Sequence, residues 1–248
     1  MPGGAPGTST PVALFVTCLV DQLFPNVGAA TVRVLERAGC AVSFPDAQTC
    51  CGQPTFNDGF WGDAAGLARR FLDVFADAPQ IVVPSGSCAA MIREWYPRLL
   101  RDDPAQAARA RAVGHRTYEL SEYLVRVLRL TDLGARFPAA VAYHPACHGL
   151  RGLHLREEPL ALLRGVRDLR LVPLPGAEEC CGFGGFFAVK FSGLSGAMLE
   201  TKIRAIESSG AEVVTATDVS CLMHIAGGLT RRGSPVRPLH LAEVLAGA

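Results

Sequence analysis

The stretch Glu179-Cys180-Cys181-Gly182-Phe183-Gly184-Gly185 decides how this chain is read. Adjacent side chains on an extended backbone point to opposite faces, so two neighbouring thiols reach one point only where the chain turns sharply. Glycine lacks a Cβ, so it supplies such a turn and lets the backbone come close to a ligand. The same arrangement stands earlier in the chain, as Thr49-Cys50-Cys51-Gly52-Gln53-Pro54.

Outward from the two pairs, the remaining cysteines keep the same register. An offset of 129 separates Cys18 from Cys147, 130 separates the two pairs, and 133 separates Cys88 from Cys221. Only Cys40 lies outside the repeat. It opens an apolar run and reads as a small core hydrophobe. A duplicated module is therefore expected. The expected fold class is α/β, with two pseudo-symmetric repeated modules, each a small, mostly parallel sheet flanked by helices. Residues 1–11, rich in Gly, Pro, Ser and Thr, read as a disordered tail. The first module is expected over 12–133 and the second over 134–248, dividing near Asp132–Pro138.

Short apolar runs predict strands at Val12–Val16, Cys40–Phe44, Ile81–Val83, Val141–Tyr143, Leu169–Val172 and Val213–Thr215. Helical periods fall at Ala29–Ala38, Trp61–Ala76, Ala89–Leu100 and Leu120–Leu130 in the first half. In the second they fall at Glu157–Arg164, Leu194–Ser208, Leu222–Thr230 and Leu241–Leu245. Trp61, Trp95 and Phe71 sit at core spacings of such helices. Alternating strand and helix implies parallel sheets. Each repeat cysteine then follows a strand's carboxyl end, where open α/β sheets bind ligands. Cys88 and Cys221 also open helices, whose free N–H groups favour thiolate over thiol.

Composition narrows the chemistry. The balance of 24 basic and 23 acidic residues gives a net charge of +1, which offers no electrostatic case for nucleic acid or a membrane surface. The apolar run from Val12 to Val20 is too short to span a bilayer and no basic residue precedes it, so no integral membrane segment is expected and a cytoplasmic location is. Nine cysteines in a reducing compartment point to metal or redox chemistry rather than disulfides. Four thiolates per half (Cys18, Cys50, Cys51 and Cys88; Cys147, Cys180, Cys181 and Cys221) suit zinc or an iron–sulfur cluster. Structural zinc sites use two close pairs, whereas these ligands lie more than thirty residues apart. That spacing favours iron–sulfur, with a zinc-stabilised scaffold as the alternative.

The two pairs and their spacing resemble the cysteine-rich CCG domain family, which includes a cluster-binding component of heterodisulfide reductase and the iron–sulfur subunit of glycolate oxidase. The wording is closer to the lactate utilisation protein A branch: Cys18-Leu19-Val20-Asp21, Pro84-Ser85-Gly86-Ser87-Cys88, Ala197-Met198-Leu199-Glu200, Arg231-Arg232-Gly233-Ser234-Pro235-Val236 and His240-Leu241-Ala242-Glu243-Val244-Leu245. The resemblance implies one or two 4Fe–4S clusters in an electron-transferring component of a complex oxidising L-lactate, or a related 2-hydroxy acid. It also implies a ferredoxin-like iron–sulfur subunit and a third small subunit as partners. A cluster-based thiol/disulfide reductase subunit is the alternative within the family. The family pattern closes each half with C-x-x-C. Here those positions read Cys88-Ala89-Ala90-Met91 and Cys221-Leu222-Met223-His224. Each half keeps four thiols, enough for a cubane but short of the five-cysteine non-cubane cluster.

Residues near the cysteines complete the candidates. Met91 reads as core filler, whereas His224, one turn after Cys221, is a candidate ligand or hydrogen-bond donor. His144, His148, His154 and Arg151 surround Cys147 and suit cluster sulfurs or a substrate carboxylate. Lys190 follows the second glycine turn, where backbone N–H groups can form an anion nest.

Overall fold

The computed structural model describes residues 9–247. The expected tail falls largely on residues 1–8, outside the described residues. Thr10 and Pro11 already pair with Cys40 and Ala41 in the first sheet.

The first half runs β1 (Thr10–Leu14), α1 (Cys18–Leu23), α2 (Pro25–Arg37), β2 (Cys40–Ser43), α3 (Gln53–Asn57), α4 (Trp61–Val74), β3 (Ile81–Val83), α5 (Gly86–Ala90), α6 (Tyr96–Leu99), α7 (Pro104–Gly114), β4 (Thr117–Glu119) and α8 (Leu120–Glu122). The second runs β5 (Ala140–Tyr143), α9 (Glu157–Arg164), β6 (Arg170–Val172), α10 (Phe186–Lys190), α11 (Ser192–Ser208), β7 (Val213–Ala216), α12 (Val219–Arg232), β8 (Arg237–His240) and α13 (Leu241–Ala246). Each half is a four-stranded parallel sheet, in the orders β2-β1-β3-β4 and β6-β5-β7-β8. The α/β class and the pseudo-symmetric repeat are thus as expected. In both sheets the winding reverses beside the first strand, and that switch point opens a crevice at the strands' carboxyl ends.

Two expected helices are interrupted. Met91–Trp95 and Tyr123–Val127 are π-helical turns that follow α5 and α8, and a third π turn covers His148–Gly152. The edge strands β4 and β8 escaped the periodicity reading. The first is only three residues long, and the second carries Pro238, which an edge strand tolerates because its N–H side faces outward. Trp61 corrects a core assignment: it is exposed on the first turn of α4, stacked on Phe56, while Ala64, Ala68, Phe71 and Leu72 form the buried face.

Packing follows from the apolar stripes. In the first half Phe15, Phe71, Phe75 and Tyr96 form an edge-to-face and stacked aromatic group under the sheet. Each such fully buried ring contributes about 1.5–3 kcal/mol over leaving it in water. A second core is shared: Leu35, Val82, Leu120 and Tyr123 pack with Val141, Tyr143, Val213, Leu241 and Val244. Arg37 seals that seam by donating to the carbonyls of Leu133, Leu245 and Ala246. The two halves therefore hold their crevices toward one another.

Candidate metal centre

The first quartet gathers at the carboxyl ends of β1, β2 and β3. Cys18 opens α1 just after Thr17, which sits at φ +76°, a conformation that costs a non-glycine residue free energy and recurs at functional sites. Cys50 and Cys51 diverge around Gly52 at φ +81°. Cys88 lies in the first turn of α5, where its N–H bonds the Ser85 cap at 3.2 Å. Cys18 and Cys50 sulfurs are 3.4 Å apart and those of Cys51 and Cys88 are 3.2 Å apart. The Gly52 N–H points at Cys50 Sγ, 3.4 Å away.

The second quartet repeats this construction. Gly182, at φ +89°, sends its N–H to Cys180 Sγ at 3.3 Å. Cys147, Cys180, Cys181 and Cys221 face the same cavity, with the sulfurs of Cys181 and Cys221 within 4.8 Å of one another. Gly182 has no space for a side chain. A Cβ there would meet Ser195 O at 2.6 Å and Met198 Cβ at 2.9 Å.

Each quartet holds one strongly acidified thiol. Cys50 is pulled down to about 3 by hydrogen bonds from Cys18 and Cys51, with the Gly52 N–H adding to them. Cys180 is pulled down to about 2 by Cys147 and Cys181. The donors Cys18, Cys51, Cys147 and Cys181 are pushed up correspondingly. Cys221 is lowered to about 6, first by Cys181 and further by His144. Thiols poised in this way release protons readily to a soft cation. The donor set therefore fits a metal ion or an iron–sulfur cluster.

All eight sulfur residues line one cavity of about 440 Å³ between the halves. Phe183, Phe186 and Val189 supply its apolar lip, with Phe186 and Val189 exposed at the mouth. His148 also lines it, and its Nε2 meets Gln53 Nε2 of the first half at 3.2 Å. Gln53 in turn donates to Ser87 O.

The other candidates are placed differently. His224 does not line the cavity; its Nε2 lies 3.3 Å from Ser195 Oγ, which donates to Gly182 O, so it buttresses the glycine turn from behind. Arg151 donates to Glu178 O, and its charge is felt at Cys147. Half-exposed Lys190 pairs with the largely buried Asp58 of the first half and stands over the Phe186 ring, away from the sulfurs. Met91 and Cys40 are buried among apolar side chains. Asp218 was missed by the sequence reading. It is the N-cap residue of α12, yet its carboxylate accepts from Ser85 Oγ, Ser87 N and Ser87 Oγ of the first half at 3.0, 2.8 and 2.8 Å. Only the serine-rich wording Ser85-Gly86-Ser87 hinted at such a partner.

The model of the cysteine-rich domain CCG matches residues 12–93 and 141–226, one match over each quartet. The chain belongs to the CCG cysteine-rich domain family. This CCG protein is also 50% identical to "Lactate utilization protein A" of Geobacillus thermodenitrificans (strain NG80-2), over 94% of this chain and 98% of that one. Proteins of the same name from Bacillus pumilus (strain SAFR-032) and Exiguobacterium sp. (strain ATCC BAA-1283 / AT1b) are 47% and 49% identical over 94% of this chain, covering 98% and 96% of theirs. Among the described residues no helix is long and apolar enough to cross a membrane.

Proposed function

We propose that this CCG protein is an iron–sulfur, electron-transferring component of a cytoplasmic system that oxidises L-lactate to pyruvate. A ferredoxin-like iron–sulfur subunit and a third small subunit would be its partners. The supporting observation is the pair of thiol quartets facing one cavity, in a chain half identical to proteins named for lactate utilization. Cys18, Cys50, Cys51 and Cys88 would hold one centre and Cys147, Cys180, Cys181 and Cys221 the other. An iron–sulfur centre supplies one-electron exchange, and two of them match the two electrons given up when a 2-hydroxy acid becomes a 2-oxo acid.

The chain's own groups set the conditions. The N–H groups of Gly52 and Gly182 stabilise negative charge on Cys50 and Cys180. Burial of Cys51, Cys88, Cys181 and Cys221 keeps water from the inner sulfurs. Phe186 and Val189 give the mouth an apolar rim against which a partner protein can exclude solvent.

Anaerobic reconstitution with iron and sulfide counting, read with electron paramagnetic resonance, tests the reading. Cys51→Ser and Cys181→Ser should each remove one centre's iron and signal. Zinc without iron or sulfide would leave a scaffold instead. A strain lacking the chain should fail to grow on L-lactate when no second lactate oxidase is present. The shared, apolar cavity also favours a second reading, thiol–disulfide reduction. That activity requires an open coordination position, so an added thiol would change the spectrum.

A further inference from the structure

His144 follows β5 directly, and its backbone N–H donates to Thr215 O at 2.8 Å. Its side chain is fully buried, and neither ring nitrogen has a hydrogen-bond partner. The polar atoms it faces are sulfurs: a ring nitrogen, Cys181 Sγ and Cys221 Sγ all lie within 4.8 Å of one another. A buried imidazole left without a partner costs roughly 1–3 kcal/mol, so the group it faces has to be one it can bond.

The first half has no such group. Phe15 follows β1 as His144 follows β5, three residues before Cys18 as His144 is three before Cys147. Its N–H donates to Val82 O of the central neighbour strand, the counterpart of the Thr215 bond. Phe15 packs against Phe71 and Phe75 in the same apolar core that holds Cys51 and Cys88. One position of the repeat thus carries a hydrocarbon ring beside the first quartet and an N–H donor beside the second.

We infer that His144 is a positioning residue of the second centre, donating its ring N–H to the Cys181–Cys221 sulfurs, and that it makes this centre the easier of the two to reduce. The inference rests on the proposed function in that both quartets hold a centre. Reduction adds negative charge that spreads onto the thiolate sulfurs. An N–H aimed at those sulfurs stabilises the reduced form more than the oxidised one, and hydrogen bonds to sulfur are among the factors that set cluster potentials. Phe15 offers no such stabilisation, so the two centres differ and electrons entering the cavity settle at the second.

The test is a redox titration of the full chain, iron-loaded anaerobically and followed by electron paramagnetic resonance. The native protein should show two separate one-electron steps. His144→Phe should lower the upper step by about tenfold in its reduction equilibrium, ~59 mV, with iron and sulfide content unchanged. His144→Gln, which keeps an N–H, should retain most of the separation, and Phe15→His should raise the lower step. Unchanged potentials in His144→Phe and Phe15→His overturn the inference. So does loss of one centre's iron in His144→Phe, which would make His144 a ligand instead. If reconstitution gives no iron, the proposed function fails, but cobalt(II) loading still decides the inference. In a Cys51→Ser background, His144→Phe should shift the thiolate-to-cobalt charge-transfer band, and an unmoved band overturns it. A protein that binds neither metal overturns both readings.

Discussion

Replacing Asp218 with alanine should weaken the seam between the two halves more than any surface substitution. Asp218 is buried, and its carboxylate accepts four hydrogen bonds: from Ser85 Oγ, Ser87 N, Ser87 Oγ and, at 3.4 Å, Ser220 Oγ. Bonds to a charged acceptor are worth about 1.5–3 kcal/mol each, but alanine also removes the cost of burying the charge. The serines recover part of the loss, because their hydroxyls lie 3.1 Å apart and Ser85 Oγ still accepts from Cys88 N. The Ser87 N–H has no such substitute. An orphaned donor plus two weakened hydroxyls gives a net loss of about 2–4 kcal/mol for Asp218→Ala. Asp218→Asn keeps one acceptor oxygen and should lose about 1–2 kcal/mol. Guanidinium unfolding measures both through the midpoint, with Asp102→Ala as the control, since that carboxylate is 96% exposed and should move stability by less than about 0.5 kcal/mol. A loss below about 1 kcal/mol in Asp218→Ala would show that the seam does not depend on this carboxylate and would refute the reasoning.

The two glycine turns should respond unequally. Gly182→Ala combines a positive φ with contacts at 2.6 and 2.9 Å and should cost about 3–5 kcal/mol, whereas Gly52→Ala, whose nearest neighbour is Leu67 at 3.4 Å, should cost about 1–2 kcal/mol in the same unfolding assay. Burial lifts the Glu119 carboxyl from 4.5 to about 8, so the folded state keeps a proton that the unfolded chain has lost. Its contribution to stability is therefore full below about pH 4.5 and is lost as pH rises through 8, by at most about 1.4 kcal/mol per pH unit. Glu119→Gln should flatten that decline, and an unchanged profile would exclude Glu119 as its source. Burial instead depresses His240 to about 4, so its contribution is present above 6.5 and is lost as pH falls through 4; His240→Gln should remove that acid limb. Lys190→Ala, which leaves the largely buried Asp58 carboxylate without its partner, should cost about 1–3 kcal/mol and leave iron content unaltered; loss of iron would return Lys190 to the site.

The doubled α/β plan was legible because cysteine spacing is a one-dimensional trace of strand ends, and both sheets indeed share one strand order. The roles of Lys190 and His224 were not. Both stand near the glycine turn in space or sequence, but α10 directs Lys190 outward to Asp58, and α12 directs His224 to Ser195. The continuous helices read at Ala89–Leu100 and Leu120–Leu130 contain π turns, which add a residue to the turn without disturbing the apolar pattern. Trp61 failed because helical spacing says which residues share a face, not whether the first turn of that face is covered. Asp218 was invisible for a different reason: its partners lie 131 and 133 residues away on the other half.

What the duplication leaves unequal carries as much information as what it preserves. The sulfurs, the glycine turns and their N–H donors occur twice. The supporting positions diverge in pairs, with Phe15 against His144, Ser85 against Asp218, and Glu119 against His240. Each pair sits at the end of equivalent strands, and in each one half carries a group able to bear charge that the other replaces or reverses. Two centres of equal potential share an electron evenly, whereas a difference fixes its direction. With a centre in each quartet as proposed, the shared cavity would give electrons a preferred end, and that asymmetry would come from His144 beside Cys181 and Cys221 rather than from the sulfurs themselves.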